Sequence, residues 1–489
     1  MSGDLFDGYP AGPADEALYP AGAVRSAYEP ILPALTRLGA AGLAAAADVM
    51  AEERAARGVS VGSWADGRQT VEPLPLDPVP RLVSAGEWAT LAAGVEQRHR
   101  ALNAFLAEAY RAAGRRRDDA DRAPQVVRAG VLPEWAVAHS PARDPDAVGQ
   151  GWPGQPRATV AAADVLRTTD GSWIVAEDHL RVPAGLGYAL ANREGLRAAL
   201  PSLFAELRPV SPDDAVPLLR AGLEAAAPPG VGGTPRIAVL TSGESDNAWF
   251  EHRLLADALG APLVRATDVW PRTDGGIEVA VGGDRVPVDV FYRRFDDGLL
   301  GAFRTPIGTA LASMLSDAVR AGRLGLANVP GNGLADDAAT YAWVPAMIRF
   351  YLGEEPLLES VRTWVLGDQE QWAQVRDRLH ELVVKPVVGY GGRGAVSGPS
   401  CSAAELASLQ AEVAAAPYRF VAQEPVESST CPTLVDGVLT PRGVDLRVFS
   451  VAGAAGATQV LPAPLTRGVG TPGQQRPQGG SSKDTWLVA

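Results

Sequence analysis

Hydrophobic positions recur at helical spacing over Leu35–Arg57, where Leu38, Leu43, Val49 and Met50 stand out from an alanine-rich background, and again over Ser84–Ala113. Ser84 with Glu87 is a capping-box signature that opens the second helix. The period then shortens to two: Thr159–Thr168 and Trp173–Asp178 read as strands joined by the turn Thr169-Asp170-Gly171-Ser172. Helices follow over 188–207 and 212–226. The buried-strand run Ile237–Leu240, the helix Asp246–Leu259 and the strand Leu263–Arg265 give a β–α–β pattern. A hairpin of Ile277–Val281 with Val286–Arg293, helices over 307–321 and 336–352, and an apolar strand ending at Lys385 complete the pattern. These elements predict a mixed α/β chain. Its expected units are a loose leader over 1–25, a helical region with the first hairpin over 26–230, a β–α–β unit over 231–335 and a second lobe over 336–489.

The chain has 489 residues, enough for two to four units with ample core, and 46% of them are hydrophobic. Its formal charge of −13 is scattered rather than blocked, which argues against nucleic-acid binding and against anionic membrane surfaces. No apolar run in the sequence approaches the roughly 18 residues a membrane span needs. Cys401 and Cys431 belong to no CxxC or Cys/His cluster, so a disulfide framework is not expected and a reducing compartment is. The start, Met1-Ser2-Gly3-Asp4, is acidic and lacks a signal-peptide core, so a cytoplasmic location is expected.

The chemistry concentrates around Lys385. Behind it, Gly389-Tyr390-Gly391-Gly392-Arg393-Gly394 matches G-x-G-x-x-G literally. The dinucleotide reading of that pattern requires a helix opening at the loop, whereas Ala395-Val396-Ser397-Gly398-Pro399 reads as strand and break. No Gly-Lys-Ser/Thr closes a Walker loop either. What remains is a strand–glycine loop–strand hairpin whose backbone can approach phosphate oxygens, with one fixed cation beside it. The strand over 419–426 ends in Gln423, Glu424 and Val426, an edge able to offer a nucleotide base an apolar slot with backbone donors and acceptors. Asp164 and Glu177 can meet across the first hairpin, and hard oxygen ligands of that kind suit Mg²⁺ on phosphates; His179 follows on the same strand. Asp445 and Arg447 share one strand face, and Lys483 sits in a Gly/Ser loop near a tryptophan that argues for docking.

In this order the motifs resemble the circularly permuted ATP-grasp ligases of type 2, and more distantly glutathionylspermidine synthetase and eukaryotic-type glutathione synthetase. The resemblance runs through Leu102-Asn103-Ala104-Phe105-Leu106, Gly130-Val131-Leu132-Pro133, Glu177-Asp178-His179-Leu180-Arg181-Val182-Pro183-Ala184-Gly185, Tyr292-Arg293-Arg294 and Ala335-Asp336-Asp337. It continues through Arg349-Phe350-Tyr351-Leu352-Gly353-Glu354-Glu355-Pro356, the Lys385 loop, Val444-Asp445-Leu446-Arg447 and Ser482-Lys483-Asp484-Thr485-Trp486. It implies an ATP-grasp fold in permuted order, with an inserted Rossmann-like substrate unit and ATP held between two α+β lobes. It implies Mg²⁺ on Asp164, Glu177 and His179, and nucleotide contacts from Lys385, Gly389, Gly391, Gly392, Arg393, Gly394, Gln423, Glu424, Val426 and Lys483. Lys385 and Arg447 would stabilise the transferring phosphoryl group, and Arg293 and Arg294 would grip a substrate carboxylate. The implied reaction joins a carboxylate and an amine, from small molecules or peptides, through an acyl phosphate; protein partners from the same pathway are a further implication. Three positions depart from the family pattern: His179 stands for an asparagine, Ala338 for a lysine, and Gln475-Arg476-Pro477-Gln478-Gly479-Gly480 for Asn-Ser-Ser-Gln-Gly-Gly. They keep an alternative open, a catalytically weakened ATP-grasp-like binding or scaffold protein that partners an active ligase.

Overall fold

The computed structural model describes residues 5–65, 68–111, 123–389, 394–453, 456–468 and 481–488. Strands far apart in the chain meet in a nine-stranded sheet. Its main path runs Glu359–Ser360, Trp173–His179, Val160–Arg167, Val438–Ala452, Leu465–Gly468, Ser482–Val488 and Leu76–Ser84, with Thr430–Val435 and Thr458–Val460 also paired to the long strand Val438–Ala452. Val-, Ala- and Leu-rich composition suits these strands to burial on both faces, and Val160–Asp164 is buried at every position. The hairpin expected over 159–178 forms, and its two strands pair antiparallel. The chain-end strand also docks as expected: Trp486 is fully buried, and its ring lies 4.7 Å from that of Phe204.

A second, four-stranded sheet, in the order Thr363–Val365, Phe420–Gln423, Val383–Pro386 and Val396–Ser397, carries Lys385. Behind the glycine loop the chain is strand, not helix, and Val383–Val384 pairs antiparallel with Val396–Ser397. The next helix, Ala403–Ala415, starts beyond it at a Ser402/Glu405 capping box. The parallel sheet Gly325–Ala327, Val290–Arg293, Ile237–Leu240 and Leu263–Val264 lies within 231–335, whereas the nine-stranded sheet draws on both 26–230 and 336–489.

Three expectations are corrected. The run expected as one strand, Val286–Arg293, divides at Asp289: Asp284–Val288 stays in the hairpin with Ile277–Val281, while Val290–Arg293 crosses into the parallel sheet. Asp289 marks the division by accepting from the Arg236 backbone and guanidinium at 2.8–2.9 Å. The leader is not loose: Glu16 is buried against Arg81 at 2.6 Å, and Asp15 bonds Tyr9, Thr430 and the backbone N–H of Ala17 and Leu18. The helix Leu32–Arg57 is long and apolar enough to cross a bilayer by length and composition. Here Leu35, Leu43, Ala46 and Met50 pack into the core, and Arg54 donates to Leu74 O and Asn192 Oδ1 at 2.8 and 2.9 Å. Gly39, at φ +63°, breaks the helical path of this segment in a conformation that only glycine adopts cheaply.

Candidate functional site

Register across three neighbouring strands assembles the site. Arg447 pairs with Asp164, and Asp164 pairs with Glu177. The register then shifts between Asp164 and Val165, an irregularity of the kind that re-aims side chains beside functional sites. Ligand atoms of Asp164, Glu177 and His179 consequently lie within 4.8 Å of one another. From the second sheet, Lys385 Nζ donates to Glu177 Oε1 at 3.2 Å. Between the sheets opens a cleft lined among others by Glu177, His179, Asp336, Asp337, Lys385 and Gln423.

Asp164 is completely buried, and both its oxygens are engaged. Arg447 donates to them from Nε and Nη2 at 2.7 and 2.9 Å, and Arg467 Nη2 lies 2.8 Å from Oδ2. Burial pushes this carboxyl up, but the Arg447 and Arg467 guanidiniums and His179 outweigh burial and hold it well below the usual carboxylate range. Asp445 does not pair with its strand-mate Arg447; it takes Arg467 in a bidentate contact at 2.9 and 2.8 Å. Arg447 Nη1 also donates to Ala184 O at 2.8 Å, so its orientation is fixed from three sides. Arg467 escaped sequence reasoning because its partners come from two neighbouring strands; the short Leu465-Thr466-Arg467 run carries no local signal for them.

The acidic wall is partly neutralised from behind. Asp178 is held by Arg98 at 2.9 and 2.5 Å. Asp336 accepts from Leu180 N and Arg181 N at 2.7 and 2.9 Å and lies 3.4 Å from the Arg181 guanidinium. Asp337 caps the helix Ala338–Leu352, accepting from Thr340 N and Ser140 Oγ, both at 2.6 Å; burial pushes its carboxyl up to about 6. Arg181 also donates to the carbonyl of Gly389, which lines the cleft. Gly394 closes the described part of the loop at φ +77°. Gly391, Gly392 and Arg393 lie outside the described residues, as do Gln475 to Gly480.

Other expected residues sit differently. Gln423 lines the cleft and donates to Thr363 Oγ1 at 3.0 Å, whereas Glu424 turns to an exposed contact with Arg362 and Val426 is not among the lining residues. Lys483 is not at the cleft. It is 2% exposed, and Nζ donates to Asp77 Oδ1, Val79 O and Pro432 O at 2.5, 3.1 and 2.7 Å, which uses all three of its protons. Arg293 is buried too, with its guanidinium on Asp297 at 2.6 Å and on the carbonyls of Phe295 and Asn328. Arg294 binds Glu251 at 2.9 Å, Pro183 O and Tyr292 Oη. Both arginines are therefore turned into the protein rather than presented to a substrate carboxylate. Ala338 does line the cleft, with no cation at the position where a lysine was expected.

The cluster suits a divalent cation by spacing but matches Mg²⁺ poorly by chemistry. Mg²⁺ demands oxygen ligands, while one of the three donors here is an imidazole and another, Asp164, is bound by two guanidiniums.

The family model of circularly permuted ATP-grasp type 2 matches residues 80–468. A Frankia casuarinae protein provisionally named glutamate–cysteine ligase 2-2 is 41% identical over 99% of this chain and 54% of its own length, so the chain spans about half of that relative. A Frankia alni protein with a similar provisional name, 2-3, shows the same identity and coverage. An uncharacterised Mycobacterium tuberculosis protein is 38% identical over 97% of this chain and 84% of its own length. Among solved structures, a glutathione synthetase-like effector from Globodera pallida, in apo form, superposes with a TM-score of 0.56 at 12% identity, covering 91% of this chain and 97% of that one. That likeness extends the shared fold over nearly the whole molecule. The chain belongs to the circularly permuted ATP-grasp type 2 family.

Proposed function

We propose that the protein is an ATP-dependent carboxylate–amine ligase that forms an amide or peptide-like bond through an acyl phosphate. The observation that carries this reading is the alignment Arg447–Asp164–Glu177 across three strands, with Lys385 delivered from a second sheet to the same carboxylate. Family membership and the provisional ligase names of the Frankia relatives support it.

In this reading the substrate carboxylate attacks the γ-phosphorus, the bond to the ADP oxygen breaks, and an acyl phosphate forms. The amine then attacks the acyl carbon, phosphate leaves, and the ammonium proton passes to solvent. Lys385 offsets negative charge on the transferring group. Arg447 does the same from a guanidinium already fixed by Asp164 and Ala184 O, so little reorganisation accompanies the reaction. A divalent cation held by Glu177 and His179 would neutralise polyphosphate charge when bound. Small-molecule or peptide carboxylates and amines are the substrate class, and the backbone at Gly389 and Gln423 borders the space the nucleotide would occupy.

The test is release of ADP and phosphate against panels of carboxylates and amines with ATP and a divalent cation. Formation of AMP, or no nucleotide binding at millimolar ATP, overturns the ligase reading. Ala338 favours the second reading, a weakened binding or scaffold protein. Under it, Ala338→Lys raises ATP affinity while no substrate pair gives turnover in the wild type.

A further inference from the structure

His179 Nε2 faces three groups with conflicting demands. It lies 3.0 Å from Asp164 Oδ2 and 3.7 Å from Glu177 Oε2, which only accept, and 3.0 Å from Arg447 Nη2, which only donates. With a proton on Nε2 the guanidinium contact is frustrated; without one, the contact to Asp164 is. A metal ion on that nitrogen removes the conflict, because the lone pair goes to the metal and Arg447 keeps its bidentate hold on Asp164. Asp164 is 1% exposed and spans two arginines, while the Glu177 side chain is 30% exposed and that of His179 is 15% exposed, both on the cleft wall. Imidazole suits zinc-, iron-, copper- and nickel-class cations and is a poor ligand for Mg²⁺; Mn²⁺ also favours oxygen but, as a transition ion, accepts a nitrogen more readily than Mg²⁺ does.

We infer that the cation site of this chain is centred on Glu177 and His179 and selects a transition cation over Mg²⁺, with Asp164 acting as a positioning residue that sets Arg447 and Arg467. The inference rests on the proposed ligase function only for the expectation that a divalent cation visits this cleft.

The experiment is Mn²⁺ binding to the full chain, followed by electron paramagnetic resonance and pulsed detection of ¹⁴N coupling, with competition by Mg²⁺. Wild type should show imidazole ¹⁴N modulation. His179→Asn should lose that modulation and lower the preference for Mn²⁺ over Mg²⁺ by on the order of tenfold or more. Glu177→Gln should lose Mn²⁺ binding with an unchanged melting temperature. Asp164→Asn should retain the ¹⁴N signal, and because it can disturb folding, its result is read only in samples with wild-type circular dichroism. Absence of ¹⁴N modulation in Mn²⁺-loaded wild type, or an unchanged preference in His179→Asn, overturns the inference. These outcomes are independent of turnover: nitrogen coupling without ATP binding sinks the ligase reading alone, and ADP formation with Mg²⁺ but no nitrogen coupling sinks this one alone.

Discussion

Lys385 and Lys483 read alike in the sequence, each beside glycines, yet their surroundings separate them. The Lys385 side chain is 22% exposed on the cleft and bonds Glu177, whereas Lys483 spends every donor on buried oxygens. Lys385→Met is expected to weaken ATP binding by about 1.5–3 kcal/mol, the worth of a hydrogen bond to a charged group, with little change in melting temperature. Lys483→Met leaves Asp77 buried without its charge partner and is expected to cost about 3–5 kcal/mol of stability, while the folded fraction binds ATP normally. Calorimetric titration and denaturant melts on both variants decide this; an equal loss of ATP affinity would return Lys483 to the nucleotide site. Asp337 supplies a pH signature. Its carboxyl, ordinarily near 3.8, is pushed up to about 6 by burial, so the folded state holds the proton more tightly than the unfolded chain. Its contribution therefore favours folding below about pH 4 and fades as pH rises through 6, by up to about 3 kcal/mol. Asp337→Asn keeps the helix cap and removes the titration. The wild-type denaturant midpoint should fall relative to that of the variant between pH 4 and 7; a constant difference would contradict the assignment. At this scale the hairpin residues were legible as candidates, since the turn brings the two strands together, but the register shift between Asp164 and Val165 that sets Asp164 opposite Glu177 was not. The partners of Arg293, Arg294 and Lys483 were not, because a lysine or arginine beside a motif looks the same whether its charge faces a ligand or a buried carboxylate.

Elements were legible where the signal is local. The capping box at Ser84/Glu87 marks a helix start through side-chain bonds to the first turn, and it forms. The division of Val286–Arg293 was hidden because both halves are rich in β-branched or aromatic strand formers and the switch depends on Arg236, some fifty residues earlier in the chain. The leader was misread for a related reason. Its Gly, Pro and acidic residues look like linker composition, but Glu16 finds Arg81 and Ser429 only in the assembled sheet. Burial pushes the Glu16 carboxyl up, and the Arg81 guanidinium more than offsets it, leaving the carboxyl below its ordinary value. Glu16→Gln is therefore expected to leave Arg81 uncompensated and cost about 3–5 kcal/mol, read from the denaturant midpoint. If the variant unfolds at the wild-type midpoint, the segment is a passenger on the sheet. Neither Glu16 nor Arg81 lines the cleft, but Arg81 Nη1 also donates to Asp445 O at 3.1 Å.

At the scale of the molecule, the permuted order places the acids and the cations of one site at opposite ends of the chain: Asp164 and Glu177 come early, Lys385, Arg447 and Arg467 late. Their meeting is a property of sheet order, which the resemblance to a known family made accessible from sequence for all of them but Arg467. The same assembly fixes the electrostatics that any nucleotide must meet. The whole chain carries −13, and the described cleft wall holds four carboxylates, Glu177, Asp178, Asp336 and Asp337, against one lysine. Arg98 and Arg181 compensate Asp178 and Asp336 from behind, but Lys385 is shared with Glu177, and Ala338 adds no cation. Two like charges 4 Å apart repel by about 4 kcal/mol near a protein surface, so several such terms would oppose a polyphosphate entering alone. ATP binding should therefore depend strictly on a divalent cation. Titration in EDTA is expected to show at least a hundredfold weaker binding than titration with Mn²⁺. Ala338→Lys, which puts a cation on the cleft wall, should recover part of that loss in EDTA. Equal affinity with and without the cation would mean that positive charge from elsewhere in the fold, not a metal, balances the phosphates.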